Sequence, residues 1–290
     1  MLFEEAVPLL RRSSPWIGAP VAGKGDLLMR FNVTLVLLLG MLWTGSSYGL
    51  NVEQPPATEA PNTGTASEDV QYARPNLLME PTQLADPAIA ENFVILDARS
   101  QEEYDRGHVP GARRVDHDSW KGAYNEGKDA EGWSKRIGAL GIDAGSQVVI
   151  YDDAAMKDAA RIWWILRYWG VENARLLNGG WKSWSSAKLP TSQANPTSAR
   201  QVDFTATPRH KRLATMGQVL QRLPGNKLQI VDARSEDEFC GVNKRDNQRG
   251  GAIPGAKHLE WSDLIEQKTH RFKSAEELNR LLDQAGIDLA

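Results

Sequence analysis

Cys240 is the one cysteine in the chain. A lone cysteine cannot close an internal disulfide, and a thiol becomes a nucleophile only where its surroundings favour the thiolate. Cys240 follows Phe239, and no glycine-rich anion cradle follows it, so a small residue in a turn is expected there. The histidines, His108, His117, His210, His258 and His270, show no i, i+4 pairing and no Cys/His cluster. No metal and no cofactor are therefore expected. Carboxylates hold more promise. Asp97-Ala98-Arg99 and Asp232-Ala233-Arg234 each close a short apolar run, where acid and base can fix a loop by buried hydrogen bonds and charge pairing. Asp152-Asp153-Ala154-Ala155-Met156-Lys157 follows the apolar run Val148-Val149-Ile150-Tyr151 and precedes a helical pattern. An acid at such a junction can cap the helix.

The elements that must position these groups are legible in the spacing. Phe93–Leu96, Leu228–Val231, Ser146–Tyr151 and Ala174–Leu177 are short apolar runs suited to buried parallel strands. Ala159–Trp169 carries Ile162, Trp163, Leu166 and Trp169 at helical spacing, and Asn178-Gly179-Gly180-Trp181 turns into another helix. Strands alternating with helices imply an α/β fold with a parallel sheet.

The pattern occurs twice. Asp97 and Asp232 lie at an offset of 135 (232 − 97). Gly107-His108-Val109-Pro110-Gly111-Ala112 is echoed by Gly251-Ala252-Ile253-Pro254-Gly255-Ala256 at 144 (251 − 107). Gly141-Ile142-Asp143 is echoed by Gly286-Ile287-Asp288 at 145 (286 − 141). Ordered landmarks at a nearly constant offset imply duplicated domains, with an insertion around Gly241–Gly250 in the second. The expected organisation is domain 1 at 76–189, a Pro/Ser/Thr/Gln-rich linker at 190–208 and domain 2 at 209–290.

Ahead of the repeats, residues 1–49 read as a signal region. Phe31–Trp43 is too short to span a bilayer, follows Met29-Arg30 and precedes small residues, with cleavage expected between Gly49 and Leu50. An exported protein without stable membrane insertion follows. Residues 50–75, rich in Pro, Thr, Glu and Ala, read as a disordered tether. A net charge of −3 and a pI near 6.0 give no electrostatic case for nucleic acid.

The Asp-Ala-Arg strand ends, the Glu-aromatic pairs Glu103-Tyr104 and Glu238-Phe239, the Gly-His-Val-Pro-Gly-Ala turn, Arg161-Ile162-Trp163-Trp164 and Leu177-Asn178-Gly179-Gly180-Trp181 together resemble the tandem-domain rhodanese family. The likeness runs from about Asn76 to Ala290. It implies two rhodanese-like domains, each a parallel sheet flanked by helices. It also implies transfer of sulfane sulfur from thiosulfate or 3-mercaptopyruvate to a thiol or cyanide, through a cysteine persulfide. In that family the cysteine opens a loop between a central strand and a helix, where backbone N–H groups lower its pKa.

In the first repeat that place holds Asp152, which resembles the non-catalytic first domain of tandem members. In the second it falls at 297 (152 + 145), past Ala290. Domain 2 is therefore expected to be partial here, lacking the catalytic loop, and the 290-residue chain to be inactive. Glu238 stands where active members carry an arginine. Arg245 and Arg249, in the inserted segment, are the candidates for binding an anionic substrate, whereas Asp97, Arg99, Asp232 and Arg234 are assigned structural roles. His108 belongs to the turn and is not placed as a base. The competing expectation is an exported, non-catalytic rhodanese-fold binding module. A phosphatase on the same fold would need a cysteine loop ending in arginine, which the sequence does not contain.

Overall fold

A computed structural model describes residues 72–124, 127–194, 200–224 and 228–288. The signal region and the tether up to residue 71 lie outside the described residues. The first unit is a five-stranded sheet in the order β1-β5-β4-β2-β3, formed by Leu78–Met79 (β1), Phe93–Asp97 (β2), Arg113–Arg114 (β3), Gln147–Tyr151 (β4) and Ala174–Leu177 (β5). Every pairing is parallel.

Strand periodicity sorts the core into two faces. Leu96, Val148, Ile150 and Leu176 point to one side, against Trp133, Ile137 and the helix Lys157–Tyr168. Ile95, Val149, Tyr151 and Leu177 point to the other, against Tyr104 and Trp184. Register agrees, with Ile95 opposite Val149 and Leu96 opposite Ile150. A sheet covered on both faces explains why these strands are apolar runs and not alternating ones.

The flanking helices, in chain order, are Pro81–Leu84 (α1), Pro87–Ala90 (α2), Gln101–Arg106 (α3), His117–Ala123 (α4), Ala130–Gly138 (α5), Lys157–Tyr168 (α6) and Gly180–Ser186 (α7). Most begin on a side-chain cap: Ser100 accepts the N–H of Glu103, Asp116 that of Ser119 and Asp129 that of Gly132. Helix α6 buries most of its circumference, including Ile162, Trp163, Trp164, Ile165 and Leu166, because it lies between the sheet and the neighbouring helices.

The second unit holds Val231–Asp232 (β6) paired in parallel with Lys257–His258 (β7), and the helices Met216–Arg222 (α8), Glu236–Phe239 (α9) and Ala275–Gln284 (α10). The strand expected at Leu228–Val231 is shorter and shifted, since only Val231 and Asp232 meet partners, Lys257 and His258.

The two units share a hydrophobic cluster. Leu264, Ile265, Phe272 and Leu278 join the face that contains α6. Asn178, 1% exposed, accepts the N–H of Phe272 at 3.1 Å, and Ser183 donates to the Thr269 carbonyl at 2.9 Å. The disordered tether expected up to residue 75 is corrected at its end. Tyr72 donates to the carbonyl of Lys273 at 2.9 Å, and Pro75–Leu77 forms a 3-10 turn, because an aromatic with a reachable acceptor is worth ordering.

The linker is pinned to the first unit. Val202 donates to Gly138 O and Ala206 to Ser134 Oγ, while Phe204 is buried. A Cβ at Gly138 would stand 2.4 Å from Val202 O, so this close approach requires glycine. Among the described residues, no helix is long and apolar enough to cross a membrane.

Candidate functional site

β4 delivers its chain to the C-terminal edge of the sheet, where ligands gather in open α/β folds. There Asp152 begins a tight loop into α6. Ala155 and Met156 take left-handed backbone angles, φ 53° and 64°, which curl successive N–H groups inward. Four of them converge on one carboxylate. Oδ1 accepts from Ala154 at 3.0 Å and Met156 at 2.8 Å, and Oδ2 from Asp158 at 2.8 Å and Ala159 at 2.7 Å. The last two are orphan donors of the first turn of α6.

Asp152 is 1% exposed. Burial pushes its carboxyl up to about 6, and the hydrogen bonds from Ala159, Met156 and Asp158 oppose that shift, so at neutral pH a carboxylate fills the loop. The backbone is clamped too. Trp181 N–H donates to Asp152 O at 2.7 Å, and a Cβ on Gly180 would lie 2.3 Å from that oxygen. This is an anion cradle already occupied by the chain's own side chain. A buried carboxylate has neither the polarisability nor the access to attack a donor sulfur.

Beside the loop lies a second buried network. Arg99 Nη2 donates to Asp97 Oδ2 at 2.6 Å and to Gly107 O at 2.7 Å. Tyr151 O–H donates to the same Asp97 oxygen at 2.5 Å and accepts the Val109 N–H at 3.1 Å. Burial and the Asp97 carboxylate push the Tyr151 phenol well above its usual value, keeping it a donor. The guanidinium of Arg99 sits 4.0 Å from the Trp181 ring centroid. Tyr151 and Trp181 thus join Asp97 and Arg99 in one network, although the sequence marks Tyr151 only as strand and Trp181 only as the end of a turn motif. The apolar run around Tyr151 hid a hydroxyl 54 residues from its partner. His108 stacks on Tyr104 at 3.9 Å and bonds its ring nitrogens to the carbonyls of Tyr104 and Ala194.

The second unit repeats the pair with less cover. Arg234 Nη2 lies 2.5 Å from Asp232 Oδ2 and 2.9 Å from Gly251 O, with the arginine side chain 26% exposed against 2% for Arg99. Arg245 and Arg249 lie on an exposed loop, and Arg245 pairs with Glu238 at 3.0 Å. Neither shares a hydrogen bond or ion pair with the Asp152 loop among the described residues. Cys240 is exposed at the C-terminal cap of α9, away from any helix N-terminus that could cradle an anion. Among the described residues, no group of three ligating side chains could hold a metal ion.

Residues 80–187 match the model of the rhodanese-like domain. The chain is 30% identical to the 3-mercaptopyruvate sulfurtransferase of Rattus norvegicus over 227 residues, 71% of this chain and 75% of that protein. It is 32% identical to the corresponding Mus musculus protein, over 67% of each chain. The chain belongs to the rhodanese sulfurtransferase family. Its fold is similar to that of SseA from Escherichia coli, described as a 3-mercaptopyruvate sulfotransferase, at a TM-score of 0.64 and 26% identity, covering 73% of this chain and 84% of that one. The thiosulfate sulfurtransferase of Bos taurus is 29% identical over 66% of each chain. Within this rhodanese fold, the loop 152–157 joins a central strand to a helix and presents aspartate at its start.

Proposed function

We propose that this chain serves a two-domain thiosulfate- or 3-mercaptopyruvate-type sulfurtransferase, with the persulfide carried outside residues 1–290. The observation that supports this reading is the Asp152 cradle. Its four converging N–H groups are what a loop needs to stabilise a sulfur anion, and here they hold a carboxylate instead. The first domain then acts as a scaffold, and the counterpart of its loop in the second repeat, at about position 297 by the offset of 145, bears the cysteine.

In the reaction that follows from this reading, the thiolate attacks the outer sulfur of thiosulfate, the S–S bond breaks and sulfite leaves with the bonding electron pair. The resulting persulfide passes its outer sulfur to cyanide or a thiol and the thiolate is regenerated. Donor and acceptor are small molecules, and the exported location expected from residues 1–49 is part of the proposal. Arg245 and Arg249, exposed beside the second unit, are this chain's candidates for meeting an anionic donor.

The filled cradle also favours a second reading, an exported rhodanese-fold module that binds without catalysing. Reading the coding sequence past codon 290 and expressing its product separates the two. The enzyme reading requires an apolar strand followed by cysteine and a glycine-containing loop. Intact mass should then rise by one sulfur atom after thiosulfate treatment, and Cys→Ser at that loop should abolish the gain. No such strand in any frame would leave the binding module.

A further inference from the structure

The basic run Arg209-His210-Lys211-Arg212 follows the linker and folds into a 3-10 turn at His210–Arg212. Residues three apart share one side of such a turn, so Arg209 and Arg212 both reach Glu172. Arg209 Nε lies 3.1 Å from its Oε1 and Arg212 Nη2 lies 2.8 Å from its Oε2. Arg167, in the last turn of α6, approaches the same Oε2 at 3.4 Å. Three guanidinium groups thus share one carboxylate.

The site is partly dehydrated. The side chain of Arg167 is 12% exposed, that of Arg212 30% and that of Glu172 43%. Arg167 Nε is buried with no hydrogen-bond partner, although buried N–H donors are normally satisfied. The Arg167 guanidinium also lies 4.8 Å from the Trp163 ring centroid. Burial and the neighbouring charges of Arg212 and Arg74 push Arg167 down to about 10, against the pull of Glu172. Like charges gathered in a half-buried corner are held at a cost that a bound anion would remove.

We propose that Arg167, Arg209 and Arg212 form a binding site for a dianionic tetrahedral oxyanion (sulfate, phosphate or thiosulfate) at the junction of the two units. Such an anion bridges Arg167 on the first unit and the 209–212 turn that leads into the second, so its binding stiffens the junction. The site is separate from the Asp152 loop and does not depend on sulfur transfer. Glu172 holds the arginines together when the site is empty and competes with the ligand when it is filled.

Isothermal titration of the 290-residue chain with sodium sulfate, with sodium chloride at matched ionic strength as control, tests the site. One saturable event with sulfate and none with chloride is expected. Glu172→Gln should tighten binding roughly tenfold, because a like charge a few ångströms from a dianion is removed. Arg167→Gln and Arg212→Gln should weaken it by a similar factor. Phosphate and thiosulfate titrations distinguish the sources. Equal affinity means that charge and shape are read, and a preference for thiosulfate means that the sulfur donor itself is held. If the arginine variants do not fold, Glu172→Gln alone decides. A sulfate response matched by chloride, or no tightening in Glu172→Gln, overturns the proposal.

Discussion

Ala159 N–H donates to Asp152 Oδ2 at 2.7 Å across seven positions of chain, tying the end of a central strand to the first turn of its helix. The loop between them owes its shape to that carboxylate. Asp152→Ala leaves four converging N–H groups without an acceptor, at about 1–3 kcal/mol for each that water cannot reach. A loss of at least about 3 kcal/mol in urea unfolding is expected. Asp152→Asn should be intermediate, since one oxygen can still accept while the amide nitrogen faces other donors. A neutral result for Asp152→Ala would mean that the cradle is not held by its filling.

Installing the missing nucleophile should not create an enzyme. In Asp152→Cys the N–H groups favour a thiolate, but the burial that outweighs them at the Asp152 carboxyl disfavours it too, so the thiol should not fall below its ordinary value of about 8.5. The position is 1% exposed and covered by the Gly180-Trp181 turn, so alkylation should be slow in the native protein and fast in urea. Fast native alkylation with iodoacetamide would show that the loop opens.

The two Asp-Arg pairs offer a controlled comparison of burial. Asp97→Ala strands Arg99 and removes the acceptor of Tyr151, and breaking a buried pair costs about 3–5 kcal/mol. Asp232→Ala breaks the same contact where a quarter of the arginine meets water, and should cost about 1 kcal/mol. Thermal unfolding of the two variants checks the order. Equal losses would contradict the role assigned to burial.

Asp153 supplies a pH test. Burial first, then its hydrogen bond with the Glu103 carboxylate, pushes it up from 3.8 to about 6. The folded state therefore holds a proton that the unfolded chain releases between those values. The stability this group contributes is fully present below about 3.8 and is lost as pH rises through about 6. His117 opposes the trend, since burial lowers its pKa and stability falls as it charges below about 6.5. Asp153→Asn isolates the carboxyl, because an amide can also donate to Glu103. The variant should match the wild type near pH 4 and exceed it at pH 7. The reverse order in unfolding at the two pH values would refute the assignment.

How far the sequence could be read follows from the same residues. β2 and β4 were legible because a strand covered on both faces is an unbroken apolar run ending in a charged residue. The Asp152 loop was legible because an acid stood where a strand must become a helix. Tyr151, Trp181 and Glu172 were not, since each acts through partners far along the chain and looks locally like core or surface. β6 was misplaced because a strand exists only where a neighbour pairs with it, and pairing cannot be seen in Leu228–Val231 alone. The contacts of Tyr72 and Asn178 with Phe272 and Lys273 were invisible for the same reason, and the 50–75 tether was extended too far.

We propose that sulfur transfer runs through a cysteine outside residues 1–290, with neither Asp152 nor Cys240 substituting for it. A thiosulfate:cyanide and 3-mercaptopyruvate assay of the purified 290-residue chain, beside its Cys240→Ser variant, tests this most directly. The account predicts no thiocyanate or pyruvate above background in either sample. Turnover in the unmodified chain that disappears in Cys240→Ser would contradict it and make the exposed thiol of α9 the nucleophile.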